Sequence, residues 1–112
     1  PNADQIKKLE KKDRVIYIYV GKPTPEFAGK FGTEPKIQLN DKFAGPSEVG
    51  DYILMERAKK SQDLQNVLTT SLKVDKNANM GLISDIKQEL REVNALKVNY
   101  TTVNGDAFSN LQ

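Results

Sequence analysis

Between Val67 and Thr102 the spacing of apolar residues changes twice, and the rest of the chain is best understood around that stretch. Leu68, Thr70, Leu72 and Val74 alternate with Thr69, Ser71, Lys73 and Asp75. A period of two over seven or eight residues predicts a strand with one buried face. Asp75-Lys76-Asn77-Ala78-Asn79 breaks the alternation, and Asn77 or Asn79 is placed to cap a following helix. From Met80 the period becomes helical. Ile83, Ile86, Leu90 and Val93 form a stripe with Leu82 at its edge, while Asp85, Gln88, Glu89 and Glu92 turn away. Asn94-Ala95 ends the helix. Leu96, Val98, Tyr100 and Thr102 then alternate with Lys97, Asn99 and Thr101, which predicts a second strand. Strand, helix, strand in this order predicts a parallel return.

Upstream, Arg14 to Val20 carries the strongest strand signal in the chain. Val15, Tyr17 and Tyr19 fall on one face and Ile16, Ile18 and Val20 on the other, so both faces are apolar. Two readings follow. The strand is central and covered on both sides, with the tyrosine hydroxyls reaching water. Alternatively, one face or edge is reserved for another chain, through dimerisation or strand addition. On the second reading Val15, Ile16, Tyr17, Ile18, Tyr19 and Val20 are the candidate partner-binding residues, with Ile16, Ile18 and Val20 or their alternates at the interface.

Gly21 to Pro35 holds three prolines and three glycines and reads as a long loop, with Phe27 and Phe31 pinning it to the body. Lys36 to Asp41 is a short strand with Ile37 and Leu39 on one face. Asn40-Asp41 is a turn, and Lys42 to Gly45 allows a short return. Pro46, Ser47 as a cap and Glu48 in the first turn open a helix. Its apolar stripe is weak, with Tyr52, Ile53, Met55 and Ala58 as the expected buried side. Ser61 to Asn66 is a polar connector. The fold class is therefore α+β: a small mixed sheet with two helices packed on one face, in the order β-β-α-β-α-β. Residues 1–13 read as a polar linker, 14–103 as the domain and 104–112 as a tail.

Composition narrows the chemistry. The chain has 112 residues, a net charge of +2, no cysteine and no histidine. Disulfides, thiol chemistry, Cys/His zinc sites and histidine acid–base catalysis are excluded. The excess charge is local, with five cationic against three acidic residues in the first fourteen. No basic stripe with interleaved aromatics follows, so a nucleic-acid role is not expected. No phosphate-cradling glycine motif occurs. Asp41, Glu48, Asp51, Glu56 and Asp75 are the carboxylates that could supply an acid–base pair, and nothing in their spacing fixes two together. The expectation is a protein that is not an enzyme and holds no cofactor or metal. No apolar run approaches the roughly 18 residues of a membrane span, and the chain begins at Pro1. It reads as a fragment or a processed chain.

Several of these residues carry a resemblance. Leu72-Lys-Val-Asp75-Lys-Asn77, Met80-Gly81, the Ile83, Ile86 and Leu90 stripe, Arg91-Glu92, and Leu96-Lys-Val-Asn-Tyr-Thr-Thr102 resemble the C-terminal periplasmic domain of the ExbD/TolR family. The resemblance covers about residues 14–102, with a Gly21–Pro35 loop longer than the family pattern. It implies a domain on the periplasmic face of the inner membrane, anchored by a transmembrane helix that lies outside this sequence. Through that helix it would join an ExbB-type channel subunit in a proton-driven motor that energises a TonB-type transducer for outer-membrane uptake. The family's proton-carrying Asp lies in that helix. Asp75 is instead a turn residue at a strand end, and residues 1–13 fall where the family's linker sits. A homodimer is expected. The TolR branch, associated with peptidoglycan binding and envelope integrity, is the alternative within the family. An unrelated α+β interaction domain is the alternative outside it.

Overall fold

The computed structural model describes residues 14–78 and 80–103. The expected linker and tail therefore lie outside the described residues, as does Asn79. Five strands form one sheet: β1 (Val15–Gly21), β2 (Lys36–Leu39), β3 (Lys42–Ala44), β4 (Thr69–Asp75) and β5 (Val98–Val103), in the order β3-β2-β1-β4-β5. β1 is antiparallel to β2 and parallel to β4, and β4 is parallel to β5. The sheet is thus mixed, with the strong Arg14–Val20 signal at its centre.

Register explains the core. Ile16, Ile18 and Val20 stand beside Thr70, Leu72 and Val74 of β4, and Val20 faces Ile37 of β2. These side chains share one face, since strand side chains alternate. Helices α2 (Val49–Ala58) and α4 (Met80–Glu92) cover that face. Val49 and Ile53 of α2 and Ile83, Ile86 and Leu90 of α4 join the strand residues in one buried cluster. Each such side chain contributes roughly 1.5–3 kcal/mol by leaving water. The stripe read in α4 is the one that is buried, with Leu82 and Val93 packed at its edges.

Three turns are closed by residues suited to them. The backbone N–H of Asn77 donates to Asp75 Oδ1 at 2.9 Å, and that of Ala78 to the Asp75 carbonyl at 2.9 Å. Asp75 therefore organises the turn after β4, while Asn77 contributes its main chain to that turn. At the far end of α4, Asn94 adopts φ +58°. The Ala95 N–H reaches back to the Leu90 carbonyl at 2.8 Å, the six-to-one closure that stops a helix with a left-handed residue. Asn40, at φ +57°, likewise turns β2 into β3.

Four expectations change. The Gly21–Pro35 loop contains a seven-residue helix, α1 (Pro25–Phe31), started by Pro25. The Ser61–Asn66 connector contains one helical turn, α3 (Gln62–Gln65), secured by Gln65 Nε2 donating to the Lys60 carbonyl at 3.0 Å. Ser47 is not the cap of α2. A 3₁₀ turn over Pro46–Glu48 precedes that helix, and Glu48 reaches back to accept the Gly45 N–H at 2.7 Å. Met55 and Ala58 are exposed, because α2 buries the i, i+4 line through Val49 and Ile53. Arg57 continues that line and donates to the Val93 carbonyl at 2.8 Å, tying α2 to the end of α4.

Leu90 has no accessible surface and lies where α4 meets the sheet. Leu90→Ala should lower unfolding free energy by about 2–5 kcal/mol through the cavity it leaves, measurable as a fall in the urea midpoint at unchanged slope.

Candidate partner-binding surface

The six β1 residues divide by parity. Ile16, Ile18 and Val20 are in the core, with Ile18 wholly inaccessible. They are unavailable as an interface while the domain is folded, which corrects the expectation that they present a partner surface. The reason is the helical cover: both helices pack on the isoleucine side. The alternates Val15, Tyr17 and Tyr19 occupy the opposite face. Val15 and Tyr19 are half-buried, and Tyr17 is exposed. The Tyr17 and Tyr19 rings stack with centroids 6.2 Å apart, and Lys73 Nζ lies 5.6 Å from the Tyr17 ring centre. An aromatic pair with a cation over it satisfies much of the apolar surface that the sequence left unassigned.

β1 lies third in the strand order, so it is not an edge strand, yet one flank of it is only half covered. Its register with β2 runs from Tyr19 to Gly21, whereas its register with β4 runs from Val15 to Val20. Backbone groups alternate sides along a strand. The Arg14 carbonyl accepts from Thr69 of β4 at 2.7 Å, whereas the Tyr17 carbonyl accepts from the Tyr52 hydroxyl of α2 at 3.0 Å. Val15 and Tyr17 therefore direct their main-chain groups away from β4, toward the flank that β2 does not reach. A groove of about 340 Å³ lies there, lined by Val15, Ile16, Tyr17, Tyr19, Asn40, Tyr52, Glu56 and Lys60. It combines strand backbone, two stacked rings, one carboxylate and one ammonium. That composition suits an extended polypeptide better than a small apolar ligand.

Tyr52 forms one wall of the groove. Burial, and secondarily Glu56 and Tyr19, push its hydroxyl up to about 12. It stays a neutral donor to the Tyr17 carbonyl at any ordinary pH. Tyr19 is also raised, by burial and then by Tyr17.

A further free flank belongs to β5. It is an edge strand whose residues Val98 to Thr102 are all exposed. Tyr100 lies beneath Lys87 Nζ, 5.5 Å from its ring centre. Leu96, read as the start of this strand, precedes it and is exposed. The sequence shows β5 as a strand but carries no sign that it is outermost. Its alternation of Val98 and Tyr100 with polar residues matches a half-buried strand as well as an edge.

The carboxylates assemble only partly. Asp41, Glu48 and Asp51 line a cavity of about 330 Å³ with Tyr52 and Met55, and Glu48 is engaged by the Gly45 N–H. Glu56 pairs with Lys59 at 2.7 Å, and Asp75 serves its turn. Among the described residues no group of three or more acidic side chains is placed to hold a metal ion. Another cavity, of about 430 Å³, has Arg57 and Lys97 in its lining. It lies by the carboxyl ends of α2 and α4, whose carbonyl dipoles oppose an anion, and Arg57 is already committed to one of those carbonyls. Among the described residues no helix is long and apolar enough to cross a membrane. Compared with known protein families, curated proteins and solved structures, the chain matches none.

The raised Tyr52 hydroxyl has a measurable sign. The folded state holds this proton to about pH 12, whereas an unfolded tyrosine releases it near pH 10. The stabilisation is present below about pH 10 and is lost as pH rises toward about 12. Tyr52→Phe should weaken the loss of stability across that interval. At neutral pH it should cost about 0.5–1.5 kcal/mol for the missing bond to Tyr17. Urea unfolding of both proteins between pH 7 and 11.5 measures the two effects together.

Proposed function

We propose that this domain is the periplasmic part of an ExbD-like subunit, and that it takes an extended segment of a TonB-type transducer along the half-covered flank of β1. The observation that carries the mode of binding is the mismatch of registers on the two sides of β1. Three residues are laddered toward β2 and six toward β4, beside a groove of about 340 Å³ lined by Val15, Tyr17 and Tyr19. The assignment to the motor rests on the resemblance of residues 14–102 and is compatible with a mixed sheet carrying two helices on one face. Membrane anchoring, an ExbB-type partner and homodimerisation follow from the same resemblance and belong to the same proposal.

In this reading the domain performs no bond-making chemistry. Main-chain groups of Val15 and Tyr17 pair with the incoming backbone. Tyr19 and Tyr52 flank its side chains, and Glu56 and Lys60 select against like charge at the groove mouth. Binding exchanges the Tyr52 bond on the Tyr17 carbonyl for a strand bond, so Tyr52 acts as the residue that the partner displaces.

The test is an NMR titration of the labelled domain with peptides from the periplasmic segment of a TonB-type transducer. Shifts should concentrate on Val15 to Tyr19 and Tyr52. Val15→Pro removes one outward N–H at the first strand position, where proline is tolerated. It should weaken binding roughly two- to tenfold, the worth of one main-chain hydrogen bond. Shifts confined to Val98–Val103 would move the site to the β5 edge. Absence of any shift at millimolar peptide, with retention of the domain on isolated cell wall, would replace this reading by the TolR-like one.

A further inference from the structure

The face of the sheet opposite α2 and α4 holds an unusual buried group. Gln38 is the middle of a β2 segment in which Ile37 and Leu39 point into the core, so its own side chain stands on the other face. In register it lies between Tyr19 of β1 and Phe43 of β3. Its accessible surface is zero, and neither Oε1 nor Nε2 has a hydrogen-bond partner. Buried carboxamides are nearly always satisfied, so this one requires an explanation. Over the same face lies α1, whose Phe31 ring meets Phe43 edge-on at 4.8 Å.

The helix is lightly held. None of its residues is buried, and Phe31 itself is 36% exposed. Thr24 stands at its N-cap, where a hydroxyl normally takes a free backbone N–H. Here that hydroxyl makes no cap bond and is itself buried without a partner. The only buried side-chain oxygen and nitrogen atoms without partners, among the described residues, belong to Thr24 and Gln38. One begins α1 and the other lies on the face it covers.

We propose that α1 is a displaceable cover: Pro25–Phe31 lifts from the sheet as a unit while the β1–β4 ladder and its helices stay folded. In the closed form the aromatic contacts of Phe31 hold the helix down and the Gln38 carboxamide stays dry. In the open form water reaches both ends of that carboxamide, and Phe43 and Tyr19 are exposed beside it. The unsatisfied group sets the balance, because its desolvation opposes closure and aromatic packing favours it. Gly32, at φ +87°, joins the helix to the bend at Thr33 and Glu34 that leads into β2, a conformation that glycine adopts without strain. This inference does not rest on the transducer reading; it concerns a different face of the sheet.

Native-state hydrogen exchange on the 112-residue chain tests it. The probes are the amides of Phe27 and Ala28, bonded to the Thr24 carbonyl, and of Gly32, bonded to the Ala28 carbonyl. They should exchange at least about a hundredfold faster than the β1–β4 ladder, yet more slowly than in a free peptide. Gln38→Met keeps the unbranched length and removes the dry polar atoms. It should raise protection of these three amides about tenfold. Phe31→Ala removes the edge-on contact and should lower their protection, which supplies the test independently if Gln38→Met does not fold. Exchange of α1 together with the ladder would overturn the proposal. So would free-peptide exchange of α1, or α1 protection that neither substitution moves.

Discussion

The parallel pairing of β1 with β4 is the constraint on which the remaining structure depends. It sets Ile16, Ile18 and Val20 in line with Thr70, Leu72 and Val74, and so makes one face of two neighbouring strands apolar without interruption. A one-residue slip would bring Tyr17, Tyr19, Ser71 and Lys73 into conflict with that surface. Because the two strands run the same way, the chain must cross over between them, and α2 provides that crossing. α4 does the same between β4 and β5. Both helices are committed to the isoleucine side. That commitment leaves the tyrosine side to be covered by whatever remains, which is the short α1 and the side chains themselves.

The parts of this arrangement that could be read from sequence are those with a long, single-period pattern. β4, α4 and β5 were legible because each shows one clear face over six or more residues. Asp75 and Asn94 mark their joints with side chains suited to a turn and to a left-handed stop. α2 was legible as a helix but not in its orientation: Val49, Tyr52, Ile53, Leu54 and Met55 surround the axis, so no direction dominates. Only packing distinguishes Ile53, which is buried, from Met55, which is exposed. The short elements α1, α3 and β3 carry too few residues for a period to register.

The central strand was legible in position and not in orientation. An apolar strand with two apolar faces marked the middle of the sheet, but alternation alone cannot say which face the helices take. The half-covered flank depends on where β2 stops, a consequence of the Asn40 turn rather than of any β1 residue. Gln38 was hidden for a related reason. A glutamine between Ile37 and Leu39 has the signature of a solvent-facing position, and its neighbours on that face come from other strands, Tyr19 of β1 and Phe43 of β3. The two phenylalanines in the Gly21–Pro35 segment were the one advance sign that this loop had something to cover.

The direction of the strands also sets how the domain would respond to a pull on its two ends. The described chain enters at the amino end of β1 and leaves at the carboxyl end of β5, and β1, β4 and β5 all run the same way. Entry and exit therefore lie at opposite ends of the sheet. Tension between them would slide β1 against β4 and β4 against β5, loading the bonds of each ladder together instead of opening them one after another. Such a domain resists being drawn out along its length while leaving α1, β2 and β3 outside the line of pull. A pulling force could thus pass through the core without disturbing the face that α1 covers.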